Sequence, residues 1–291
     1  MKIRGVGRTL LYLARKRSES IKKSFIIQHK DLIKKNLAVS PGKFEGILLG
    51  YSGKNYFYEQ LYSSLSFIKN IGLPDKWIIV SDGTYTAQQK NTLELIPNLQ
   101  VVNYDVLIDK DFKTLDPLKE AHRMGQFGTT YFSILNKVNG RLIYMEADVL
   151  VFGLFNRYAH LFNTHNWYLT DTAPHFDSSY YKENQIPMFP VNNGFAIYNK
   201  RPPLEVACKY MIDRLNDGGF EYFTPQSASQ LMVDKDTYSK IFDPRYFVVS
   251  GSDHFKYTID HLPENIALRH YVGPVRHKMW QTDWREVLQV L

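Results

Sequence analysis

The sequence predicts an α/β protein built on a sheet of largely parallel strands. Three observations carry this reading. Short β-prone runs alternate with amphipathic helical runs from Gly46 onward. Turn-forming Gly, Pro, Asn and Asp separate the runs. The chain is 291 residues long, 44% hydrophobic and 22% charged, without repeats or low-complexity tracts, which is ample for a large core.

The elements follow in order. Leu10, Leu13, Ala14, Ile21, Phe25, Leu32 and Leu37 recur mostly at helical steps among basic residues, predicting one or two amphipathic helices. Residues 1–40 hold 11 Lys/Arg against only Glu19 and Asp31, whereas the other 251 residues carry 25 basic and 27 acidic groups. The basic character therefore belongs to this segment. Three readings are open for it: a helix packed on the body, a helix docked on an anionic membrane face by apolar insertion and lysine attraction, or a nucleic-acid arm. No nucleic-acid motif is present and the body is near neutral, so nucleic acid is not expected as a partner.

Ser40-Pro41-Gly42 reads as a hinge, dividing the chain into a basic helical extension (1–40) and a main domain (41–291). Residues 46–51 then form a strand. Asn55 to Ile71 is a helix with Phe57, Leu61, Leu65 and Ile68 on one face. Residues 77–80 are a strand ending in Ser81-Asp82-Gly83. Thr84 to Leu95 is a helix stopped by Pro97, residues 99–104 are a strand, and His122 to Val138 is a helix turned by Asn139-Gly140. Cys208 is the single cysteine, which excludes an intrachain disulfide and points to a reducing compartment. No run of about 18 apolar residues and no secretory signal is evident. A cytoplasmic location is expected, peripheral to the inner membrane face if residues 1–40 dock there. The 20 Tyr and 18 Phe suit carbohydrate or base contacts and equally an aromatic core.

The next run, Arg141-Leu-Ile-Tyr-Met-Glu146-Ala-Asp148-Val-Leu-Val-Phe-Gly153, places two carboxylates inside apolar β-prone sequence. Residues two apart on a strand share a face, so Glu146 and Asp148 can converge on one ligand. A bare buried pair is costly, and a hard divalent cation removes that cost. Ligands of open α/β sheets bind at the carboxyl ends of strands, and these acids sit at or just past such an end. Two acids at a strand end that face water or cap a helix remain the alternative.

The surrounding residues sharpen the reading. "LIYMEADVLVFG" resembles the strand that carries the DxD motif in GT-A glycosyltransferases, especially glycosyltransferase family 8 and its relatives. Residues 190–199, PVNNGFAIYN, are similar to that family's Asn-x-Gly segment. Thr224-Pro225-Gln226-Ser227-Ala228 looks like its DQ or EQ helix start. Residues 270–280, HYVGPVRHKMW, resemble its terminal HxxGxxKPW. The features occur in the family's order and cover roughly residues 44 to 284.

The resemblance implies a GT-A mixed sheet flanked by helices. It implies Mn²⁺ or Mg²⁺ held by Glu146, Asp148 and His270, and a nucleotide-sugar donor, UDP-sugar first. Glu146 matches the acid that also meets the donor ribose. Arg276 by spacing from His270, or Lys278 by the K-x-W ending, matches the lysine that meets the diphosphate. Gly273, Asn192 and Gly194 bring backbone and amide to the donor. Asp171, Asn193 and Gln226 fall where the family places groups near the reacting sugars. Tyr51 and Tyr56 bracket the first strand–helix turn, where a ring can stack on the base. Asp82 could accept from the base N–H, or simply form its turn, and Arg123 could reach the diphosphate.

The implied reaction is transfer of the sugar to a hydroxyl of a glycan, glycolipid or protein acceptor. Family 8 favours retention. Acceptor specificity is expected in the loops 172–190 and 245–262. Three departures stand out: Glu146 for Asp, Pro225 for an acid, and Met279 for Pro. They keep open an inactive scaffold of the same fold. A nucleotidyltransferase is a weaker alternative, because Gly50-Tyr-Ser-Gly-Lys-Asn55 matches its Gly-rich loop poorly.

Overall fold

The computed structural model describes residues 3–103, 141–171, 175–250 and 262–280. Arg123, the helix expected over 122–138 and the Asn139-Gly140 turn lie outside these residues.

The predicted basic segment is one helix, α1 (Ile3–Ala38). Its packed face carries Ser18, Leu32, Ile33 and Asn36, all buried, flanked by Ile21 and Leu37 against the core. Two polar contacts fix it. Ser18 Oγ donates to the His277 carbonyl at 2.7 Å, and Lys22 Nζ lies 2.6 Å from a carboxylate oxygen of Glu59, which is 1% exposed. Burial lowers the Lys22 pKa, but the Glu59 and Glu19 carboxylates outweigh it and the ammonium is held charged. Leu10, Tyr12 and Leu13 are instead exposed. The packed-helix reading therefore fits most of α1.

From Lys43 to Asn103 strands and helices alternate as the sequence predicts. β1 (Lys43–Ser52) is followed by a 3-10 turn over Lys54–Tyr56 and α2 (Phe57–Asn70). α2 is buried nearly all round, because the sheets cover one side and α1 the other. β2 (Leu73–Ser81), α3 (Ala87–Leu93) and β3 (Leu99–Asn103) complete the first half. α3 opens with a capping box, Thr86 and Gln89 each satisfying the other's backbone N–H.

β4 (Leu142–Met145) and β5 (Val149–Val151) follow, then β6 (Asn166–Thr170), α4 (Ser178–Glu183), β7 (Val191–Tyr198), α5 (Leu204–Asn216) and α6 (Thr224–Lys235). The last strands are β8 (Ser239–Ile241), β9 (Phe247–Ser250) and β10 (Leu268–Tyr271), before a 3-10 segment over Gly273–Trp280.

The main sheet has seven strands in the order β3-β2-β1-β4-β7-β6-β8. β1 is parallel to β2 and β4, and β2 to β3. β7 runs antiparallel to both β4 and β6. A second sheet of three strands has the order β5-β10-β9. One core lies between the sheets and α2, and a second lies under α5 and α6.

One expectation is corrected here. Glu146 and Asp148 do not lie along a single strand. β4 ends at Met145 in the large sheet and β5 starts at Val149 in the small one, so the acids occupy the turn where the chain changes sheets. Val149 N donates to Glu146 O at 3.3 Å across that turn. α2 holds the departing strand: Val151 N donates to Ser66 Oγ at 3.1 Å, and Asn70 Nδ2 donates to Val151 O at 2.9 Å. The carboxylates converge because of this turn rather than strand alternation.

Candidate active site

Strand pairing assembles the site. In the small sheet His270 of β10 sits opposite Val149 of β5, and Tyr271 N donates to Asp148 O at 2.9 Å. This delivers the imidazole beside the acids from far along the chain. His270 Nε2 lies 3.1 Å from Glu146 Oε2 and 3.3 Å from Asp148 Oδ1. One ligand atom from each of the three residues falls within 4.8 Å of the others.

β7 builds the other wall. Its register with β6 skips from Leu169↔Asn192 to Tyr168↔Ala196, so Asn193, Gly194 and Phe195 bulge from that ladder. On the other edge Glu146 N still donates to Gly194 O at 2.9 Å. The bulge brings Gly194 against the His270 ring. A Cβ there would stand 2.2 Å from Nδ1, so only glycine fits.

The tautomer of His270 follows from the hydrogen bonds. Gly194 N–H donates to Asn192 Oδ1 at 2.9 Å, which makes that atom an acceptor. His270 Nδ1, 2.8 Å from the same oxygen, must then carry a proton. In neutral His270 the lone pair is therefore on Nε2, facing Glu146 and Asp148. Asn192 Nδ2 in turn donates to Asp171 Oδ2 at 3.2 Å. Asp171, Asn192, His270 and the two acids form one connected network.

Arg276 closes the network from the 3-10 segment. Its Nε and a terminal nitrogen donate to Asp148 Oδ2 at 2.8 and 2.5 Å, and its guanidinium lies 4.5 Å from the centre of the Tyr56 ring. Burial would raise the Asp148 pKa, but Arg276 and His270 outweigh burial and hold it well below the usual carboxylate range. Burial would lower the His270 pKa, but the Asp148 and Glu146 carboxylates raise it to about 10. The ring is thus an imidazolium at neutral pH when no cation is bound. Burial, the two acids and Tyr51 together push the Tyr144 hydroxyl well above its ordinary range.

The donor set suits a divalent ion: two carboxylates, at least one buried, and an imidazole whose second nitrogen is fixed by a partner. Mn²⁺ fits this mixture of oxygen and nitrogen donors.

The structure separates the sequence-predicted residues into groups. Glu146, Asp148, His270, Asn192, Gly194, Asp171, Arg276 and Tyr56 come together. Asn193 is buried beside Gly194 in the bulge. Gly273 opens the segment carrying Arg276, whereas Lys278 is 5% exposed and buried with the segment's anchor, Trp280. Trp280 packs on Tyr62 and donates through Nε1 to Glu59 at 3.1 Å.

Gln226 lies in the first turn of α6 with Nε2 buried and without a partner. One turn later Gln230 Oε1 accepts from Val191 N at 2.7 Å, which fixes that face of α6 towards the start of β7. Tyr51 is the penultimate residue of β1, near Tyr144. Asp82 is occupied in its own turn: Oδ1 accepts from Thr84 N at 2.9 Å and from the Thr84 hydroxyl at 2.5 Å, and its carboxylate packs where a Cβ on Gly53 would be. The turn-forming reading of Asp82 therefore fits the geometry.

Sequence reasoning missed one wall. A cleft of about 260 Å³ adjoins Tyr56, Gly273 and Arg276, and its far side is α1. The sequence left α1 open between a helix packed on the body, a membrane-docked helix and a nucleic-acid arm, and none of these readings placed it at the site.

No protein-family model and no curated protein sequence matches the chain. Solved structures do match. The galactosyltransferase LgtC, in complex with donor and acceptor sugar analogs, is 12% identical and superposes with a TM-score of 0.54 over 84% of this chain and 96% of that one. The chain has the GT-A glycosyltransferase fold. Mouse xyloside xylosyltransferase 1 shares this GT-A fold at 12% identity, with a TM-score of 0.52 over 78% of this chain and 97% of that one. GlyE of Streptococcus pneumoniae TIGR4 does so at 16% identity and a TM-score of 0.53, over 84% of this chain and 62% of GlyE. In this GT-A fold the acid turn follows β4, a strand parallel to β1, so the site lies beyond the carboxyl ends of both strands.

Proposed function

We propose that the protein transfers a sugar from a nucleotide-sugar donor, a UDP-sugar first, to an acceptor hydroxyl. The observation that carries this reading is the convergence of Glu146, Asp148 and His270 at the sheet-switching turn of a GT-A fold. These three residues would hold Mn²⁺ or Mg²⁺. When bound, the ion supplies Lewis-acid neutralisation of the donor diphosphate.

The chain's own groups divide the remaining work. Asn192 holds His270 in the tautomer that presents Nε2. Arg276, already paired with Asp148 at the site, is the cation that this reading assigns to the diphosphate. Its pairing with Asp148 keeps the guanidinium in place until donor charge arrives. Tyr56 offers its ring to the base. Asp171, oriented by Asn192, and the unpartnered Gln226 amide address sugar hydroxyls. The acceptor oxygen forms the new bond to the anomeric carbon as the bond to the phosphate oxygen breaks. The electron pair leaves with the diphosphate. With retention, the hydroxyl proton passes to that departing oxygen on the same face.

The fully satisfied Asp148–Arg276–His270 cluster supports a second reading, a binding protein of this fold without transferase activity. A nucleotide-sugar screen decides between them, measuring binding and slow donor hydrolysis with and without Mn²⁺ on wild type and Asp148→Ala. Manganese-dependent nucleotide release with one donor, lost in the variant, supports the transferase. A folded protein that binds no donor rejects it.

A further inference from the structure

We propose that α1 is a wall of the nucleotide pocket and that Arg15 binds the nucleoside end of the donor. This rests on the transferase reading above and goes beyond it, because it assigns donor binding to the basic segment 1–40, which the sequence sets apart from the domain carrying the site.

The cleft of about 260 Å³ beside Tyr56 and Arg276 is lined on its other side by α1. The contributing residues, Arg15, Ser18, Glu19 and Lys22, are spaced at three, four and seven positions, which is one face of a helix. That face cannot turn away. Ser18 is bonded to the His277 carbonyl, and Lys22 is paired with buried Glu59.

The charges in the cleft are unequally committed. Lys22 is engaged by Glu59 at 2.6 Å and Glu19 at 3.1 Å. Arg276 is engaged by Asp148. Arg15 is exposed, and among the described residues no hydrogen bond or ion pair engages it. Glu59 also lines the cleft, but its Oε1 is taken by Lys22 and Trp280 and its Oε2 is closed off from solvent.

The cleft thus offers an aromatic face at Tyr56 and an uncommitted cation at Arg15. A nucleoside has the complementary set: a ring to stack and oxygen acceptors for the cation. Sites for whole small ligands usually measure about 300–1,000 Å³, so this cleft suits the nucleoside end alone. Arg276 stands between the cleft and the acid–histidine cluster, which places the diphosphate on its side and leaves Arg15 to the nucleoside.

The test is calorimetric, on the full chain with Mn²⁺. The probes are UDP, GDP, ADP and CDP, and inorganic pyrophosphate for the diphosphate alone. The variants are Arg15→Ala and Lys16→Ala, both at exposed positions of α1. With the best-binding nucleotide, Arg15→Ala should weaken affinity roughly tenfold or more, the scale of a hydrogen bond to a charged group. Pyrophosphate binding should stay unchanged, and Lys16→Ala should bind as wild type. Equal nucleotide affinity in Arg15→Ala and wild type overturns this inference while leaving the transferase reading intact. An equal loss in Lys16→Ala overturns it too, because the effect is then bulk charge. If no nucleotide binds the wild type, both readings fall together.

Discussion

Replacing Gly194 by alanine tests the site at its tightest point. The added methyl would stand 2.2 Å from His270 Nδ1, 2.5 Å from Cε1 and 2.6 Å from Cγ. Carbon contacts settle near about 3.5 Å, so the ring or the strand must give roughly 1 Å. The strand is pinned, because Gly194 O accepts from Glu146 N at 2.9 Å and moving it drags an acid with it. The ring is the softer element, and its retreat stretches the 2.8 Å bond to Asn192 and carries Nε2 away from Asp148 and Glu146. Overpacking of this kind costs about 1–3 kcal/mol of stability. Loss of an orienting partner lowers metal affinity about 10–100-fold. Titration calorimetry with Mn²⁺ and a thermal melt read the two effects, with His270→Ala as the reference for a missing ligand. A Gly194→Ala protein that melts and binds Mn²⁺ like wild type would refute the packing of His270 on Gly194.

Other outcomes follow from the same geometry. Asp148→Ala removes the carboxylate that Arg276 and His270 both face, and should destabilise the metal-free protein by about 3 kcal/mol in urea unfolding; an unchanged midpoint would mean the buried cluster adds nothing. His270, raised to about 10 by the acids, must shed a proton to ligate a metal. Apparent Mn²⁺ affinity should therefore rise with pH up to about 10, and binding near neutral pH should release about one proton, read as a buffer-dependent enthalpy. Without metal the sign reverses: charged His270 stabilises the fold below its unfolded pKa, and that contribution fades as pH climbs through about 10, visible as a falling melting temperature. Leu10 and Leu13 are 49% and 52% exposed beside the basic residues 15–17 of α1. If this end docks on anionic membranes, Leu10→Ser/Leu13→Ser should lose liposome co-flotation, and equal recovery of both proteins would end the idea. Among the described residues no helix is long and apolar enough to cross a membrane.

The sequence by itself determined the local and periodic features. Alternating β-prone and amphipathic runs wrote the order of elements from α1 to β3, because burial on one face leaves a period that can be read without coordinates. It also singled out Glu146 and Asp148, since acids inside an apolar run need a compensating partner, and the resemblance to glycosyltransferase family 8 added His270. Tertiary structure decided everything that depends on which strands pair. It turned the expected single acid-bearing strand into a switch between two sheets, because β5 finds partners in β10 and in α2 rather than in β7. It set Arg276 on Asp148, because the 3-10 turns after β10 aim its guanidinium there. It gave Asn192 its hold on the His270 tautomer through a bulge that no spacing rule reveals. It folded the basic extension back as a wall of the cleft, because Lys22 meets its buried counter-charge Glu59 only across a contact between helices.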